Sequence, residues 1–450
     1  MTADESKRFK KAQWRFILCS MIAYAFFYVT RKNLSVAQPV MLEEGVVSTY
    51  AIGIILSVHG VLYGVSRFVN GFWADRLNGR IFMTIGLSIA VIVSLLAGFV
   101  PSMSGIITCS LMGYTWTFNA VFISSLLFGV FWTVNAWAQG MGFPPCAKML
   151  THWIHPKELA TKMSIWNTSH SFGSALALGL CSMLFAFDLS WRWCFFVPAV
   201  LAGFAAVFCF FCVKDGPHED GLPELDLSDV RGTKADANEK HLVTDADRRR
   251  LVFRNRVIWL CAIANFFVYV VRFGFLDWGP TFLKQFKGIP VSKGGLMTIA
   301  FELAAVVGTV FAGWITDKVF KGRGVRTCVF CMLFAGLCAL GFWYLPAGAA
   351  IWQATLLLMG TGFFIYGPQA LIGIVAAQQA TNDAAAMANG FMGIMGYAAT
   401  TVSGLGIALI SQHFGWNAAL LSIGGFALVG MVFFLFAWNA SATGYKAKPQ

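Results

Sequence analysis

Four cations of this chain stand inside long apolar runs: Arg31, Lys32, Arg67 and Arg272. A charge at the middle of a membrane-spanning helix costs about 2.5–3.5 kcal/mol on insertion scales, so each needs a partner or a task. Arg31 and Arg272 are 241 residues apart. An unrelated landmark shares that spacing: Gly71-Phe-Trp-Ala-Asp75-Arg76 returns 242 residues later as Gly313-Trp-Ile-Thr-Asp317-Lys318. A duplicated chain would place the two guanidiniums at equivalent positions, on either side of a central cavity. Two converging planar forks call for one oxyanion, and phosphate suits them best through parallel charge-assisted hydrogen bonds. In the simpler alternative each arginine pairs with a carboxylate or reaches an interface. The first half offers few buried acids to Arg31, whereas Glu302 and Asp277 are available to Arg272.

The neighbours of both arginines fall on matching faces. Tyr24, Tyr28 and Arg31 follow at i, i+4 and i+7, and Tyr269 and Arg272 at i and i+3, each set a single helical stripe. Tyrosine hydroxyls can donate to a phosphate while their rings line the cavity; the alternative is an interfacial aromatic belt. Trp166 and His170 are at i and i+4 with Asn167 beside them, and a midplane histidine can meet the anion as a cation or remain a satisfied core residue. Lys32 and Arg67, the latter with Tyr63 four residues before it, read as attractors or a gate, or as snorkelling cations. Asp75-Arg76 and Asp317-Lys318 read as conformational latches that pair with helix ends. Gly140-Met-Gly142-Phe-Pro144-Pro145-Cys146 and Tyr366-Gly367-Pro368 break the backbone ladder and permit close packing or a hinge.

The elements that must hold these residues follow from composition. Of 450 residues 58% are hydrophobic and only 12% are charged, with a mean hydropathy of +0.68. Ordinary soluble chains carry about 25% charge, so a water-soluble globule is excluded. The fold expected is all-α and polytopic: twelve transmembrane helices in two pseudo-symmetric six-helix bundles. The spans fall near 16–40, 51–74, 81–100, 116–142, 160–187, 191–213, 257–283, 292–317, 327–346, 350–378, 384–411 and 415–438. The domains expected are 1–213, a cytoplasmic linker 214–256 that holds 19 of the 54 charged residues, and 257–450. Gln139-Gly140 and Tyr366-Gly367 are only 227 apart, which places a 15-residue insertion in the first half, at Ser102–Phe118.

The net charge of +12 is a topology signal. With both termini cytoplasmic, inside segments hold 25 Lys and Arg and outside loops only four, so nucleic acid is not needed as a partner. The 11 cysteines lie almost entirely in apolar runs without a histidine cluster, and read as packing residues rather than metal ligands or disulfides. The basic KRFKKAQWR start leads into the first span rather than a removed signal peptide. No phosphate-binding loop, nucleophile elbow, zinc-protease motif or paired catalytic carboxylates occur. The chain reads as no enzyme, with neither cofactor nor metal. Its partners are a phosphorylated small molecule, inorganic phosphate and the lipid bilayer, and it acts as a monomer.

Through the paired Gly-x3-Asp-Arg/Lys loops the sequence resembles the major facilitator superfamily. More narrowly it resembles the organophosphate:phosphate antiporters, through Arg31-Lys32-Asn33, Gln139 to Cys146, Trp166 to His170, Arg272-Phe273-Gly274, Asp277-Trp278 and Tyr366-Gly367-Pro368. The resemblance implies a bacterial inner-membrane carrier that exchanges an organic phosphate ester, a hexose phosphate before glycerol 3-phosphate or phosphoglycerate, for inorganic phosphate. A sensor of external sugar phosphate is the alternative it also implies. It maps the substrate-binding arginines to Arg31 and Arg272, the helix-five histidine to His170, and the cavity aromatics to Tyr24, Tyr28, Trp137, Trp166, Tyr269, Tyr366 and Tyr397. Arg67 stands where glycerol-phosphate members carry a lysine.

Overall fold

The computed structural model describes residues 3–101, 106–111, 114–223, 245–346, 348–380 and 384–440. A bilayer core offers no water to backbone groups, so a chain this apolar must bond them internally. Almost all of it is helix: α1 (Ala3–Glu43), α2 (Thr49–Arg76), α3 (Gly79–Gly98), α4 (Ala120–Gln139), α5 (Phe143–Trp153), α6 (Pro156–Asn167), α7 (Ser169–Ala186) and α8 (Trp193–Cys212). There follow α9 (Asp245–Phe253), α10 (Arg256–Lys287), α11 (Val291–Lys318), α12 (Gly324–Tyr344), α13 (Ile351–Gln379), α14 (Ala385–Thr401) and α15 (Ile407–Phe436). Among the described residues eleven continuous helical stretches are long and apolar enough to span. The last, Met387–Phe436, holds two spans, because Gly415 at φ 77° and ψ 172° turns the chain inside α15. Twelve spans result, and the chain is a multi-pass integral membrane protein.

Two compact units are built from these helices: Met1–Ser48 with Leu62–Lys240, and Thr49–Val61 with His241–Gln450. In the first, α1 packs on α7 and α8, and α3 on α4 and α8. Phe16, Ser20, Ala23, Phe27, Thr30, Leu34 and Ala37 recur every three or four residues of α1 and are all buried. In the second, α13 packs on α11 and α12, and α10 on α14 and α15.

Two expected boundaries are corrected. The fourth span does not start at residue 116: Ile106–Leu111 (β1) pairs antiparallel with Tyr114–Asn119 (β2), and helix begins only at Ala120, where Asn119 Oδ1 accepts from Val121 N at 2.8 Å. The chain is thus not purely helical. A β-branched and aromatic run, with Ile, Thr, Tyr, Trp and Phe alternating, favours strands over a helix start. Between α3 and α4 lie 21 residues, 99–119, against six, 345–350, between α12 and α13. The difference is the expected 15-residue insertion; its residues 102–105 and 112–113 lie outside the described ones. The fifth span, expected at 160–187, runs as continuous helix from Ile165 to Ala186 and tightens at Thr168, where bonds from Thr168 N to Ile165 O and from Ser171 N to Thr168 O accompany the α-type bond from Phe172 N to Thr168 O. Within the 214–256 segment, residues 224–244 lie outside the described ones. Its start is held: Pro217–Asp220 forms a 3-10 turn, and Asp215 and Glu219 bond back to the first unit.

Candidate functional site

In the first unit the break between α4 and α5 builds the arginine centre. A Cβ at Gly140 would lie 2.2 Å from Ser66 Oγ and 2.9 Å from the backbone nitrogen of Arg67; one at Gly142 would lie 3.2 Å from the rings of Tyr24 and Phe27. Glycine at both positions therefore lets α1 and α2 close on the α4–α5 junction. Ser66 Oγ donates to the Trp137 carbonyl at 2.6 Å and Gln139 Nε2 to Thr30 Oγ1 at 3.1 Å, which fixes α4 against both neighbours. Phe143, the next residue, then lies under Arg67, whose guanidinium carbon is 3.8 Å from the ring centroid. Arg31 sits 4.2 Å from the Tyr63 ring centroid and 5.7 Å from that of Tyr28. Cation–π contacts at this partial exposure contribute about 0.5–2 kcal/mol, which offsets part of the insertion cost of such a cation and leaves a favourable anion something to add.

His170 joins this centre: its ring meets Tyr28 edge-on at 5.6 Å and its Nδ1 lies 3.2 Å from Ser171 Oγ. Tyr28, Arg31, Arg67 and His170 keep partial exposure, while Lys32 is buried beside Arg31. Tyr24 and Trp166, expected as cavity aromatics, are core residues instead. Their rings lie 4.7 Å apart at a tilt of 31°, the Trp166 indole donates to Ser20 Oγ at 3.1 Å, and Trp166 is fully buried. Trp166 near the end of α6 and His170 near the start of α7 flank the tightened step at Thr168 within one helical stretch, and the tyrosines of α1 contact both. Asn167 and Trp137 are exposed.

The second unit treats its arginine differently. Gly308 and Gly362 face each other's helices so closely that a Cβ would lie 1.8 Å from the Phe363 carbonyl oxygen and 2.3 Å from that of Phe301. This contact of α11 with α13 brings Glu302 to Tyr366, one turn beyond Gly362, and the Tyr366 hydroxyl donates to Glu302 Oε1 at 2.8 Å. Arg272 of α10 lies over that ring at 4.7 Å and over Phe273 and Tyr269 at 5.3 and 5.9 Å, within electrostatic range of Glu302. It is only 8% exposed, and its Nε is buried without a hydrogen-bond partner. Tyr269 meets Tyr397 of α14 at 6.3 Å, with Gly396 packed under its ring. Tyr269, Arg272, Tyr366 and Tyr397 are therefore one cluster. Glu302, one of the two acids available to Arg272, is bonded into it.

The expected latches are less complete. Asp317 and Lys318 at the end of α11 are exposed, as is Arg76; the side chain of Asp75 lies outside the described ones. Other residues hold that face of the first unit: Asp215 Oδ1 accepts from Gly79 N at 2.6 Å, Glu219 Oε1 accepts from Asn78 Nδ2 at 3.2 Å while its Oε2 forms an ion pair with Arg80 at 3.3 Å, and Asp220 pairs with Arg15. Lys148 Nζ donates to the carbonyls of Ala74 and Leu77 at the end of α2. The clue was the acidic Asp215-x3-Glu219-Asp220 directly after an uncharged span.

Comparison with known proteins places this geometry. The Major Facilitator Superfamily model matches residues 20–404. The chain is 32% identical to the glycerol-3-phosphate transporter of Bacillus subtilis, over 99% of this chain and 96% of that one. It is 31% identical to a probable hexose phosphate transport protein of Chlamydia pneumoniae (98% and 94%), and 32% to the membrane sensor protein UhpC of Escherichia coli (91% and 89%). Among solved structures, a bacterial homologue of the human lysosomal transporter Spinster superposes with a TM-score of 0.76 at 14% identity, over 95% of this chain and 97% of that one. A D-xylose-proton symporter does so at 0.68 and 15%, over 97% and 99%. Both show the fold.

Proposed function

Because the chain belongs to the major facilitator superfamily, and within it to the organophosphate:phosphate antiporter family, we propose that it exchanges an organic phosphate ester for inorganic phosphate across the membrane. The observation that carries this reading is the pair Arg31 and Arg272, equivalent by the sequence repeat and each set among aromatic rings inside a spanning helix. One phosphoryl group engages both forks during transport, each through two parallel charge-assisted bonds. His170, Tyr28, Tyr269 and Tyr397 supply further donors, and Lys32 and Arg67 raise the local anion concentration. With no anion the two cations oppose closure; a bound phosphate removes that repulsion and lowers the barrier between inward- and outward-facing states. A carrier that reorients only when loaded must return with another anion, hence exchange rather than net uptake.

Glu302 sharpens the scheme. It compensates Arg272 through Tyr366 while the site is empty, so an arriving phosphate competes with a carboxylate rather than meeting a bare charge. Hexose phosphate is the proposed organic substrate, supported by Tyr366-Gly367-Pro368-Gln369 and by the Chlamydia relatives. The Lys and Arg asymmetry supports cytoplasmic termini in a bacterial inner membrane. The test is exchange in phosphate-loaded proteoliposomes, with hexose phosphate, glycerol 3-phosphate and phosphoglycerate as competitors. Arg31→Lys or Arg272→Lys abolishes exchange, because a point charge does not replace a fork; exchange within threefold of the native rate in either variant would overturn the proposal. Similarity to the UhpC sensors favours a second reading, signalling without transport. Phosphate binding with no exchange by the purified chain is its signature.

A further inference from the structure

Inside the first unit, the last turn of α4 meets α1 at the residue before Arg31. Asn135 and Gln139 are the only side-chain amides of α4, and they stand four residues apart on one face. Asn135 Nδ2 donates to the Thr30 carbonyl at 3.2 Å, and Gln139 Nε2 donates to Thr30 Oγ1 at 3.1 Å. All three residues are buried. The Thr30 hydroxyl in turn donates to the Phe27 carbonyl at 3.1 Å. On the far side of the cation pair, Asn33 Nδ2 donates to the Cys194 carbonyl of α8 at 2.9 Å. Arg31 and Lys32 are therefore the middle of a four-residue segment pinned at both ends.

The other arginine of this unit is treated alike. Ser66, the residue before Arg67, donates to the Trp137 carbonyl at 2.6 Å and accepts from Asn70 Nδ2 at 2.7 Å. Each arginine thus follows a hydroxyl residue bonded to the same turn of α4, residues 135–139.

Stability is a poor reason for two amides at this point. Hydrogen bonds between spanning helices add little to the stability of a bundle, and burial strips the amides of water. Placement is a better reason. The Tyr63 and Tyr28 rings attract the Arg31 charge, but a long side chain can meet a ring in many rotamers. Two parallel bonds to a phosphoryl group need the fork within about 0.5 Å and 10–20° of its productive geometry. Fixing the backbone from which the side chain starts supplies part of that accuracy. We propose that Asn135 and Gln139 are positioning residues, which act through Thr30 to set the Arg31 fork against the phosphoryl group. The inference rests on the reading of Arg31 as a phosphate ligand.

The experiment is equilibrium phosphate binding to the purified full-length chain in four forms: native, Gln139→Leu, Arg31→Lys and Gln139→Leu/Arg31→Lys. Gln139→Leu should weaken binding about tenfold beside the native arginine and less than about twofold beside a lysine, because no fork is left to position. A merely structural loss would be the same in both backgrounds and would overturn the proposal. Thr30→Val cuts the same bond from its other end, should show the same dependence on Arg31, and carries the cycle where Gln139→Leu does not fold. Native-like affinity in Gln139→Leu or Thr30→Val, with weak binding by Arg31→Lys, overturns this inference alone. Native-like affinity in Arg31→Lys overturns the transport reading and this inference with it.

Discussion

Arg31 and Arg272 occupy equivalent places in a duplicated chain, yet their surroundings diverged. The apolar stretches 16–42, 49–74, 120–142, 165–186 and 193–212 of the first half contain no Asp or Glu, and the described partners of Arg31 include aromatic faces, Tyr63 at 4.2 Å and Tyr28 at 5.7 Å. Arg272 is more deeply buried and has Glu302 behind Tyr366. Duplication kept the cation and set it at two depths. One 8% exposed requires a counter-charge, which Glu302 supplies through Tyr366. The difference predicts unequal dependence on the transported anion.

The largest effect expected is at Glu302. Glu302→Gln removes the counter-charge of a buried cation, which costs about 3–5 kcal/mol, and thermal unfolding should show most of that loss recovered by saturating phosphate. A variant equally unstable with and without phosphate would mean that Arg272 is balanced from elsewhere. Next come the glycines. Gly362→Ala drives a methyl into the Phe301 carbonyl and should cost about 1–3 kcal/mol, separating Tyr366 from Glu302. Gly142→Ala meets only rings at 3.2 Å and should cost less. Unfolding midpoints of the two compare the rigidity of the centres.

Comparable and smaller effects separate the kinds of contact. Tyr366→Phe loses a buried hydrogen bond to a carboxylate, about 1.5–3 kcal/mol, while Tyr63→Leu loses a ring face worth about 0.5–2 kcal/mol; equal losses in urea titrations would erase the distinction. Smallest is Glu158, away from both centres. The Lys162 ammonium, hydrogen-bonded at 2.6 Å, holds its carboxyl below the usual range. The stabilisation is present above the ordinary carboxylate pKa and is lost as pH falls through the lowered one. For so exposed a pair it is about 0.5 kcal/mol or less, so Glu158→Gln should shift the pH profile of unfolding only slightly.

Spans, repeat and both arginines were legible because a charge inside an apolar run has few explanations, and because two landmarks shared one offset. Glu302 was visible as an available acid, but its bond to Tyr366 depends on the glycine contact of α11 with α13, which periodicity does not encode. Tyr24 and Trp166 were read as lining residues because ring type and stripe do not say which side of α1 is covered; packing by α6 and the α4–α5 junction decides that. The hairpin was visible only as a length difference, since a short apolar stretch of β-branched residues next to a span reads as part of the span. The acidic clasp at Asp215 to Asp220 was hidden by counting a charged segment as linker.

The central claim, that one phosphate engages both arginines, is tested most directly by a double-mutant cycle on phosphate binding. Measured by equilibrium binding to the purified chain, Arg31→Lys and Arg272→Lys should each weaken affinity by roughly 30-fold or more, about 2 kcal/mol. The double variant should be no worse than the weaker single one, since removing either fork already breaks the shared clamp. Losses that simply add, or a single variant that binds within threefold of the native chain, would contradict it.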